Sequence, residues 1–362
     1  MTGVLPDNML RQMLQNFITG VDEKYINPAS LDLPLSSEAY RLESTFMPKR
    51  GETVRSLIES VGGQPFDLRN RLEVGVSYIV RVDGIFRFPP EVYGYINPKS
   101  STGRINLLCR VLADGVPMYD ALRPPGWSGE IWVLMRPDSF PVIVSPHKAV
   151  SQLRLFDGTS FLDALEVSME AEKHGLLYHP DGKRIALEDM TRHSDSLFLS
   201  VMVEPGMPAW ECRGGRRELD ISREDYQASD FFQKVEVRDG YVDLHKGGFY
   251  ILSTYEYVCV GPDISAELRA IDPRFGEFRS HAAGFIDPGW GWGVKGEGRG
   301  RPITLEITPH ENIRMRHRQT VARIRFERMK SRPEKLYDSA ATKSNYTAQV
   351  RGASLSKHFK VD

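Results

Sequence analysis

Short runs of residues that favour β-strands, separated by turn-forming residues, restrict the fold of this chain more than any other feature. Runs such as SYIVRV at 77–82, EIWVLM at 130–135 and AVSQLRLF at 149–156 are bounded by Gly, Pro, Asp and Asn. Apolar runs of about four to eight residues with such boundaries are typical of strands. Similar runs, among them SLFLSVM and YEYVCV, follow in the second half of the chain. The sequence therefore predicts a mainly β protein.

Two helical segments divide the strand-like runs into two groups. In the first segment Met9, Leu10 and Met13 recur at helical spacing. The second covers residues 160–174, and Gly175 ends it. A short helix followed by strands thus occurs twice, which indicates an internal repeat.

Four pairs of segments match each other in the same order along the two groups. The pairs are 25–35 with 192–201, 96–104 with 271–279, 123–135 with 285–307, and 149–156 with 320–326. We predict two diverged copies of one all-β domain, followed by a polar tail. The predicted boundaries are residues 1–158, 159–330 and 331–362.

Charge and cysteine usage exclude several classes of protein. The chain has 47 basic and 48 acidic residues in 362, a formal net charge of −1, which favours neither nucleic acid nor an anionic membrane as a partner. No apolar run approaches the roughly 18 residues of a membrane span, and the N-terminus lacks the layout of a secretion signal. The three cysteines have no CxxC spacing. We expect a cytoplasmic protein without disulfides or structural zinc.

Three segments carry a resemblance to a known family. KSSTGR at 99–104, IDPGWG at 286–291 and ITLEI at 303–307 resemble the signature segments of dCTP deaminases and the related trimeric dUTPases. The resemblance implies two dUTPase-like distorted β-barrels of the β-clip or jelly-roll type, each preceded by a short helix. It also implies zinc-independent, hydrolytic deamination of dCTP to dUTP and ammonia, a step that supplies thymidylate synthesis.

The first of these segments is a candidate phosphate-binding turn. Lys99, Ser100, Ser101 and Arg104 combine cations, adjacent hydroxyls and the backbone N–H groups of a glycine-containing turn, and a triphosphate needs several such donors at once. By resemblance, Ser100 would also hold the attacking water and Arg104 would assist the catalytic centre. A solvated polar turn is the alternative interpretation.

The second segment is a candidate hairpin for the base and sugar. A Pro-Gly turn and small residues allow a flat base to lie against the backbone. By resemblance, Asp287 would accept a hydrogen bond from the deoxyribose 3′-hydroxyl, and a ribose would clash. The expected substrate-binding residues here are Ala283, Gly284, Phe285, Ile286 and Asp287. A plain β-hairpin is the alternative.

Glu306 is the candidate catalytic residue. Strand alternation places Thr304 and Glu306 on one face and Leu305 on the other. Deamination at C4 of cytosine needs an activated water and proton delivery to N3 and to the amine, and one carboxylate within reach of both can supply this. The zinc deaminases are excluded because the chain lacks their PCxxC segment. An exposed strand glutamate is the alternative.

The two predicted copies have complementary gaps. The first copy has the Ser-Ser turn but carries Leu134 where the second has Glu306, and its hairpin, RPPGW at 123–127, has no Asp. The second copy reads DPRFGE at 272–277 in place of the Ser pair. Since sites in the single-copy relatives lie between subunits, we predict one site per chain, made from both copies. The sequence leaves open whether the halves meet within one chain or between chains.

The C-terminal tail is a candidate lid over the substrate. SNYTAQVRGASLS at 344–356 resembles the family's C-terminal lid, so Tyr337, Lys343, Tyr346 and Gln349 are candidate substrate-binding residues; a disordered polar terminus is the alternative. Mg²⁺ is expected only as a companion of the triphosphate, with no protein metal site.

Other functions remain open on the sequence. A dUTP diphosphatase, or an enzyme performing both steps, would use the same turn and hairpin. A non-catalytic, nucleotide-binding regulatory protein would fit the loss of half the motifs. The expected partner is a small deoxynucleoside triphosphate, and a homo-oligomer is compatible with the resemblance because the single-copy relatives form trimers.

Overall fold

Strands dominate the structure and enclose two large apolar cores. The computed structural model describes residues 2–193, 195–280, 284–339 and 352–361. One core lies mainly among the strands of residues 3–157, and the other lies among those of residues 177–328. The predicted mainly β fold with two domains is confirmed.

The first half contains fourteen strands within the described residues. They are β1 (Gly3–Val4), β2 (Ile18–Thr19), β3 (Leu31–Leu42), β4 (Gln64–Pro65), β5 (Arg71–Leu72), β6 (Ser77–Val82), β7 (Ile85–Arg87), β8 (Val92–Pro98), β9 (Leu107–Ala113), β10 (Ala121–Leu122), β11 (Ser128–Gly129), β12 (Ile131–Pro137), β13 (Val142–Ile143) and β14 (Ala149–Asp157).

The remaining strands follow residue 176. They are β15 (Leu177–Tyr178), β16 (Arg192–His193), β17 (Ser196–Met202), β18 (Trp210–Cys212), β19 (Leu219–Asp220), β20 (Tyr226–Gln227), β21 (Phe232–Lys234), β22 (Tyr241–Leu244), β23 (Tyr250–Val258), β24 (Ile264–Arg269), β25 (Phe278–Arg279), β26 (Phe285–Ile286), β27 (Arg301–Pro309), β28 (Ile313–Arg316), β29 (Thr320–Arg328) and β30 (Phe359–Lys360).

Short helices join these strands. The α-helices of the described residues are α1 (Asp7–Asn16), α2 (Val54–Ser60), α3 (Ser100–Gly103) and α4 (Ala164–His174), and 3₁₀ turns lie at Glu23–Tyr25, Leu187–Asp189, Ala228–Asp230 and Pro273–Phe275. Helix α4 begins with a capping box, in which the side chains of Asp163 and Glu166 each accept the other's backbone N–H. As predicted, α4 precedes the second group of strands, and α1 precedes the first group apart from the two-residue strand β1. No helix in these ranges combines the length and hydropathy needed to cross a membrane.

The strands of the two halves follow the same spatial order. In the first half the path is β10-β8-β14-β3-β6-β12-β9, and in the second it is β26-β24-β29-β17-β23-β27-β25. The antiparallel pair β14–β3 has a β-bulge, and so does its counterpart β29–β17. The path and the bulge support the predicted repeat, and they let each residue of one half be compared with a residue of the other.

The pairing register changes one of the sequence matches. Residues 96–104 were matched to 271–279, which places Ile96 opposite Ile271. In the sheets Ile96 pairs with Leu153, whereas Leu268 pairs with Ile324, the counterpart of Leu153. Leu268 is therefore the counterpart of Ile96. The sequence match was wrong by three residues because two unrelated Ile-x-Pro strings coincide.

Residues 204–235 of the second half pack onto the first half. Trp210, Leu219 and Phe231 belong to the same apolar core as the strands of residues 31–155. Strand β19 also pairs in parallel with β13, with Leu219 opposite Val142. The two halves therefore share buried surface.

Candidate active site

The phosphate-binding turn predicted from sequence forms the short helix α3. Lys99 precedes it, and the Lys99 carbonyl accepts the N–H groups of Thr102 and Gly103 at 2.9 and 3.0 Å. Lys99, Ser100 and Ser101 are partly exposed, while Arg104 is buried. The turn therefore presents its cation and both hydroxyls at the surface and directs Arg104 inward.

Lys99 is held by a carboxylate from the neighbouring strand. Its ammonium group pairs with Asp32 on β3, and the other oxygen of Asp32 accepts a hydrogen bond from Asn27 Nδ2 at 2.9 Å. Strand β3 lies beside β14, which lies beside β8, so the sheet itself brings Asp32 to the end of β8. Sequence analysis matched this segment only as part of the repeat and missed Asp32.

The hairpin at Gly284–Asp287 lies against the first half of the same chain. A Cβ atom added to Gly284 would stand 2.8 Å from the Leu268 carbonyl oxygen and 3.4 Å from Asn97 Oδ1. Asn97 in turn donates a hydrogen bond to Glu267 at 3.4 Å. Only a residue without a side chain fits this approach. Ala283 lies outside the described residues.

A fully buried arginine from the first half holds Asp287. Arg154, on β14, donates to Asp287 Oδ1 at 3.2 Å, to Glu327 Oε2 at 2.7 Å, and to the carbonyls of Ala266 and Ile286. Its guanidinium also lies over the Phe285 ring, 4.3 Å from the centroid. Every one of these partners belongs to the second half, so Arg154 fixes the hairpin across the domain boundary.

Burial dominates the electrostatics of Asp287. Desolvation raises the pKa of this carboxyl; Arg154 opposes the rise, and the nearby charge of Asp32 adds to it. Lys99 also lowers the Asp287 pKa. The Lys99–Asp32 pair and Asp287 are thus close enough to interact, which brings the predicted turn and the predicted hairpin together.

Glu306 lies in the middle of β27 and is 4% exposed. Leu305 and Ile307 enter the second apolar core, and Thr304 shares the face of Glu306, as alternation predicted. Arg279, on the neighbouring β25, interacts electrostatically with Glu306 and with Asp120 of the first half. Burial lowers the pKa of Arg279, and both carboxylates oppose that shift.

The C-terminal segment connects the turn to the strand of Glu306. Arg104 Nη1 donates to the carbonyl and hydroxyl oxygens of Ser354 at 3.1 and 3.0 Å, and the Ser354 N–H donates to Thr304 Oγ1 at 3.3 Å. Ser356 Oγ donates to the Ser101 carbonyl at 3.0 Å. Thr304 is two residues from Glu306 on the same face. Ser354 and Ser356 therefore link the turn at residues 99–104 to strand β27 of the same chain.

Of the four tail residues predicted to bind substrate, the structure describes Tyr337. Tyr337 packs against Trp290, with 4.8 Å between ring centroids, and its N–H donates to the Pro288 carbonyl at 2.8 Å. It therefore contacts the outer turn of the hairpin. The predicted residues Lys343, Tyr346 and Gln349 lie outside the described residues.

A basic cleft of about 520 Å³ opens beside the turn. Lys99, Ser101 and Asp32 line it, together with three cations that sequence analysis missed: Lys24, Lys148 and Lys357. These lysines come from three distant parts of the chain, so no local motif could have identified them. Among the described residues no group of three His, Cys, Asp or Glu side chains is arranged to hold a metal ion.

Strand register also shows what each half lacks. Glu306 pairs with Ile251 on β23, and at the same place in the first half Leu134 pairs with Ile79 on β6. The residue that follows β26 is Asp287, whereas the one that follows β10, its counterpart, is Arg123. Both comparisons agree with the asymmetry read from the sequence.

Comparison with known proteins places the chain in a family. Models of the N-terminal and C-terminal domains of 2′-deoxycytidine 5′-triphosphate deaminase match residues 1–159 and 172–359. The chain belongs to the dCTP deaminase family. The resemblance stated from the three sequence segments is confirmed.

Individual members of the family are similar over different lengths. The crystal structure of 2′-deoxycytidine 5′-triphosphate deaminase from Agrobacterium tumefaciens aligns with a TM-score of 0.85 and 31% identity, over 94% of this chain and 99% of that one. Proteins named "dCTP deaminase, dUMP-forming" from Methanothermobacter thermautotrophicus and Bifidobacterium longum are each 33% identical, over 33% and 32% of this chain. The chain spans 59% and 58% of their lengths.

Proposed function

We propose that this protein converts dCTP and water to dUTP and ammonia. The observation that carries the proposal is the link Arg104–Ser354–Thr304, which joins the phosphate-binding turn to the strand of a buried glutamate inside one chain. Membership of the dCTP deaminase family supports it. The printed names of the relatives from Methanothermobacter and Bifidobacterium agree.

Glu306 is the proposed proton carrier. It takes a proton from a water molecule as the water oxygen bonds to C4 of cytosine, and it passes that proton to N3. It then takes the second proton of the added hydroxyl and delivers it to the amine, so that the C4–N4 bond breaks and ammonia leaves. Ser100 is assigned to hold the water, and Arg104 to fix the Ser354 segment beside the reacting ring.

Asp287 is the proposed reader of the sugar. Its Oδ1 accepts from Arg154, which leaves Oδ2 to accept from the deoxyribose 3′-hydroxyl. The close packing of Gly284 on Leu268 and Asn97 leaves little room along the hairpin, which supports selection against a ribose. A buried carboxylate held by an arginine has a fixed orientation, and fixed orientation is what selectivity requires.

The basic cleft is the proposed site of the triphosphate. Lys99, Lys148 and Lys357 supply positive charge to its lining, and Ser101 supplies a hydroxyl. Mg²⁺ would arrive bound to the phosphates, as many triphosphate-binding proteins use it. We also propose that the enzyme is cytoplasmic, uses no zinc and works with one site per chain, whether or not chains associate.

An assay of ammonia and pyrophosphate tests the proposal. Purified protein given dCTP and Mg²⁺ should release ammonia and form a uracil nucleotide. Glu306→Gln should bind dCTP with near-unchanged affinity but lose turnover by a factor of about 10² or more, because the amide cannot carry protons. Glu311→Gln, an exposed residue beyond the same strand, is the matched control. An unchanged rate in Glu306→Gln would show that another residue does the chemistry.

The second candidate is a deaminase whose final product is dUMP. The relatives from Methanothermobacter and Bifidobacterium carry "dUMP-forming" in their names. Such an enzyme would also break the bond between the α- and β-phosphates, and pyrophosphate would appear together with ammonia. Ammonia without pyrophosphate would support the single reaction.

A further inference from the structure

The second half contains a cavity of about 380 Å³ that the proposed reaction does not use. It lies between residues 177–191, the middle of β17, the second half of β23 and the start of β29. Its walls include apolar side chains from Leu177, Met190 and Phe198, and polar ones from Asp189, Glu256 and Arg318. A volume of this size is within the range of small-molecule sites.

This cavity is the structural counterpart of the basic cleft. In the first half His147 has a φ of 64°, and its N–H donates to the Leu35 carbonyl at 2.7 Å; in the second half Arg318 has a φ of 61°, and its N–H donates to the Val201 carbonyl at 2.9 Å. The side chain of His147 contacts Asp83, and that of Arg318 lies over the Tyr255 ring.

The strands on either side of this contact also correspond. Because Leu35 corresponds to Val201, counting back three residues along each strand matches Asp32 to Phe198. Asp32 lines the first pocket and Phe198 the second. The same backbone thus forms a pocket in both halves, with different side chains.

The charge of the second pocket is opposite to that of the first. Four lysines and one aspartate line the basic cleft, whereas one arginine and two acids, Asp189 and Glu256, line the second pocket. A triphosphate would therefore be repelled from the second pocket. An uncharged ligand with both donors and acceptors suits it better.

The polar groups of the second pocket are in place without a ligand. Glu256 accepts hydrogen bonds from the Ser200 N–H and hydroxyl, both at 2.7 Å, so its orientation is fixed. Within the part of the chain that the structure describes, the side chains of Arg318 and Asp189 form no ion pair or hydrogen bond. Burial raises the pKa of Glu256, and the hydrogen bonds from Ser200 oppose that rise.

We propose that this pocket binds a neutral pyrimidine nucleoside, with deoxycytidine as the representative ligand. The ring would lie against Phe198 and Met190. Glu256 would accept a hydrogen bond from the N4 amine of cytosine, and Arg318 would donate to the O2 carbonyl. The second copy would thus bind an uncharged nucleoside at the place where the first copy binds the charged triphosphate.

Isothermal titration calorimetry tests this proposal. Deoxycytidine is titrated into the Glu306→Gln chain with dCTP already at saturation, so that the active site is occupied. We expect one further equivalent to bind. Thr191→Trp, which places a large ring at the exposed mouth of the pocket, should weaken this binding at least about tenfold, or 1.4 kcal/mol. In a chain with Glu306 intact, the same substitution should leave deamination of dCTP unchanged.

Two further variants keep the result interpretable. Thr191→Ser is the matched control and should bind deoxycytidine as the parent chain does. Arg318→Asn removes the cation while keeping a residue type that tolerates the positive φ, and it should also weaken binding. If dCTP does not bind at all, the result counts against the proposed function. The effect of Thr191→Trp on the affinity for deoxycytidine can still be measured in that case.

Three outcomes would overturn the proposal. One is the absence of saturable deoxycytidine binding at millimolar concentration. Another is binding that both Thr191→Trp and Arg318→Asn leave unchanged. The third is a second equivalent of dCTP or of pyrophosphate bound in the same pocket, because a polyphosphate there would contradict the charge argument.

Discussion

Replacement of Arg154 by methionine should destabilise the protein strongly. Arg154 and Glu327 are both 0% exposed, and their charges meet at 2.7 Å. Methionine has a similar length but no charge, so Glu327 would remain buried without its partner. Breaking a buried pair in this way typically costs about 3–5 kcal/mol. We expect a loss of that size in the free energy of unfolding, measured by urea denaturation at pH 7.5.

The loss should depend on pH in a defined direction. Burial already raises the pKa of Glu327, and Arg154 opposes that rise. Without Arg154 the folded-state pKa rises further above the unfolded one, so the folded variant binds a proton more tightly than the unfolded chain. The free energy of unfolding of the Arg154→Met variant should therefore increase as the pH falls towards the pKa of Glu327 in the unfolded chain. The difference from the parent chain should shrink at pH 5.5.

A double variant separates the charge from the packing. Arg154→Met combined with Glu327→Leu removes both buried charges, and it should recover much of the stability lost in the single variant. Its activity should stay low, because Asp287 is still no longer held by Arg154. A cost below about 1 kcal/mol for Arg154→Met, or a double variant less stable than the single one, would refute the argument that this pair joins the two halves.

Three other predictions concern the active site. Asp287→Ala should lower kcat/KM for dCTP and reduce the preference for dCTP over CTP by about tenfold or more, measured by competing the two substrates. Lys148→Ala should raise KM for dCTP several-fold with less effect on kcat. Because salt screens exposed charges, the difference in KM from the parent chain should shrink at high salt. Lys295→Ala, which changes an exposed lysine far along the sequence, is the control. Gly284→Ala should lower activity sharply, because its Cβ would stand 2.8 Å from a backbone oxygen and the hairpin would have to shift.

The sequence predicted the features that depend on local pattern. Alternation in ITLEI placed Glu306 and Thr304 on one face, and the structure agrees because strand geometry fixes that alternation. Gly175 marked the end of α4, where its φ of 72° suits a residue without a side chain. Such signals need only neighbouring residues.

Features that depend on distant contacts were not predictable in this way. Arg154 appears in the sequence as a polar residue in a strand, and nothing nearby indicates that Glu327, 173 residues later, will face it. Residues 204–235 lack a regular apolar period, so their packing on the first half was missed. Lys24, Lys148 and Lys357 line one cleft only because the fold brings three distant parts of the chain together.

The position of Ser354 has a consequence for the synthesis of the protein. Arg104 is translated early, yet its hydrogen-bond acceptors on Ser354 come 250 residues later. A growing chain therefore cannot complete the pocket until Ser354 has been added and has left the ribosomal exit tunnel. The contacts of Ser354 with Arg104 and Thr304 should form only after that point, however early the first β domain has folded.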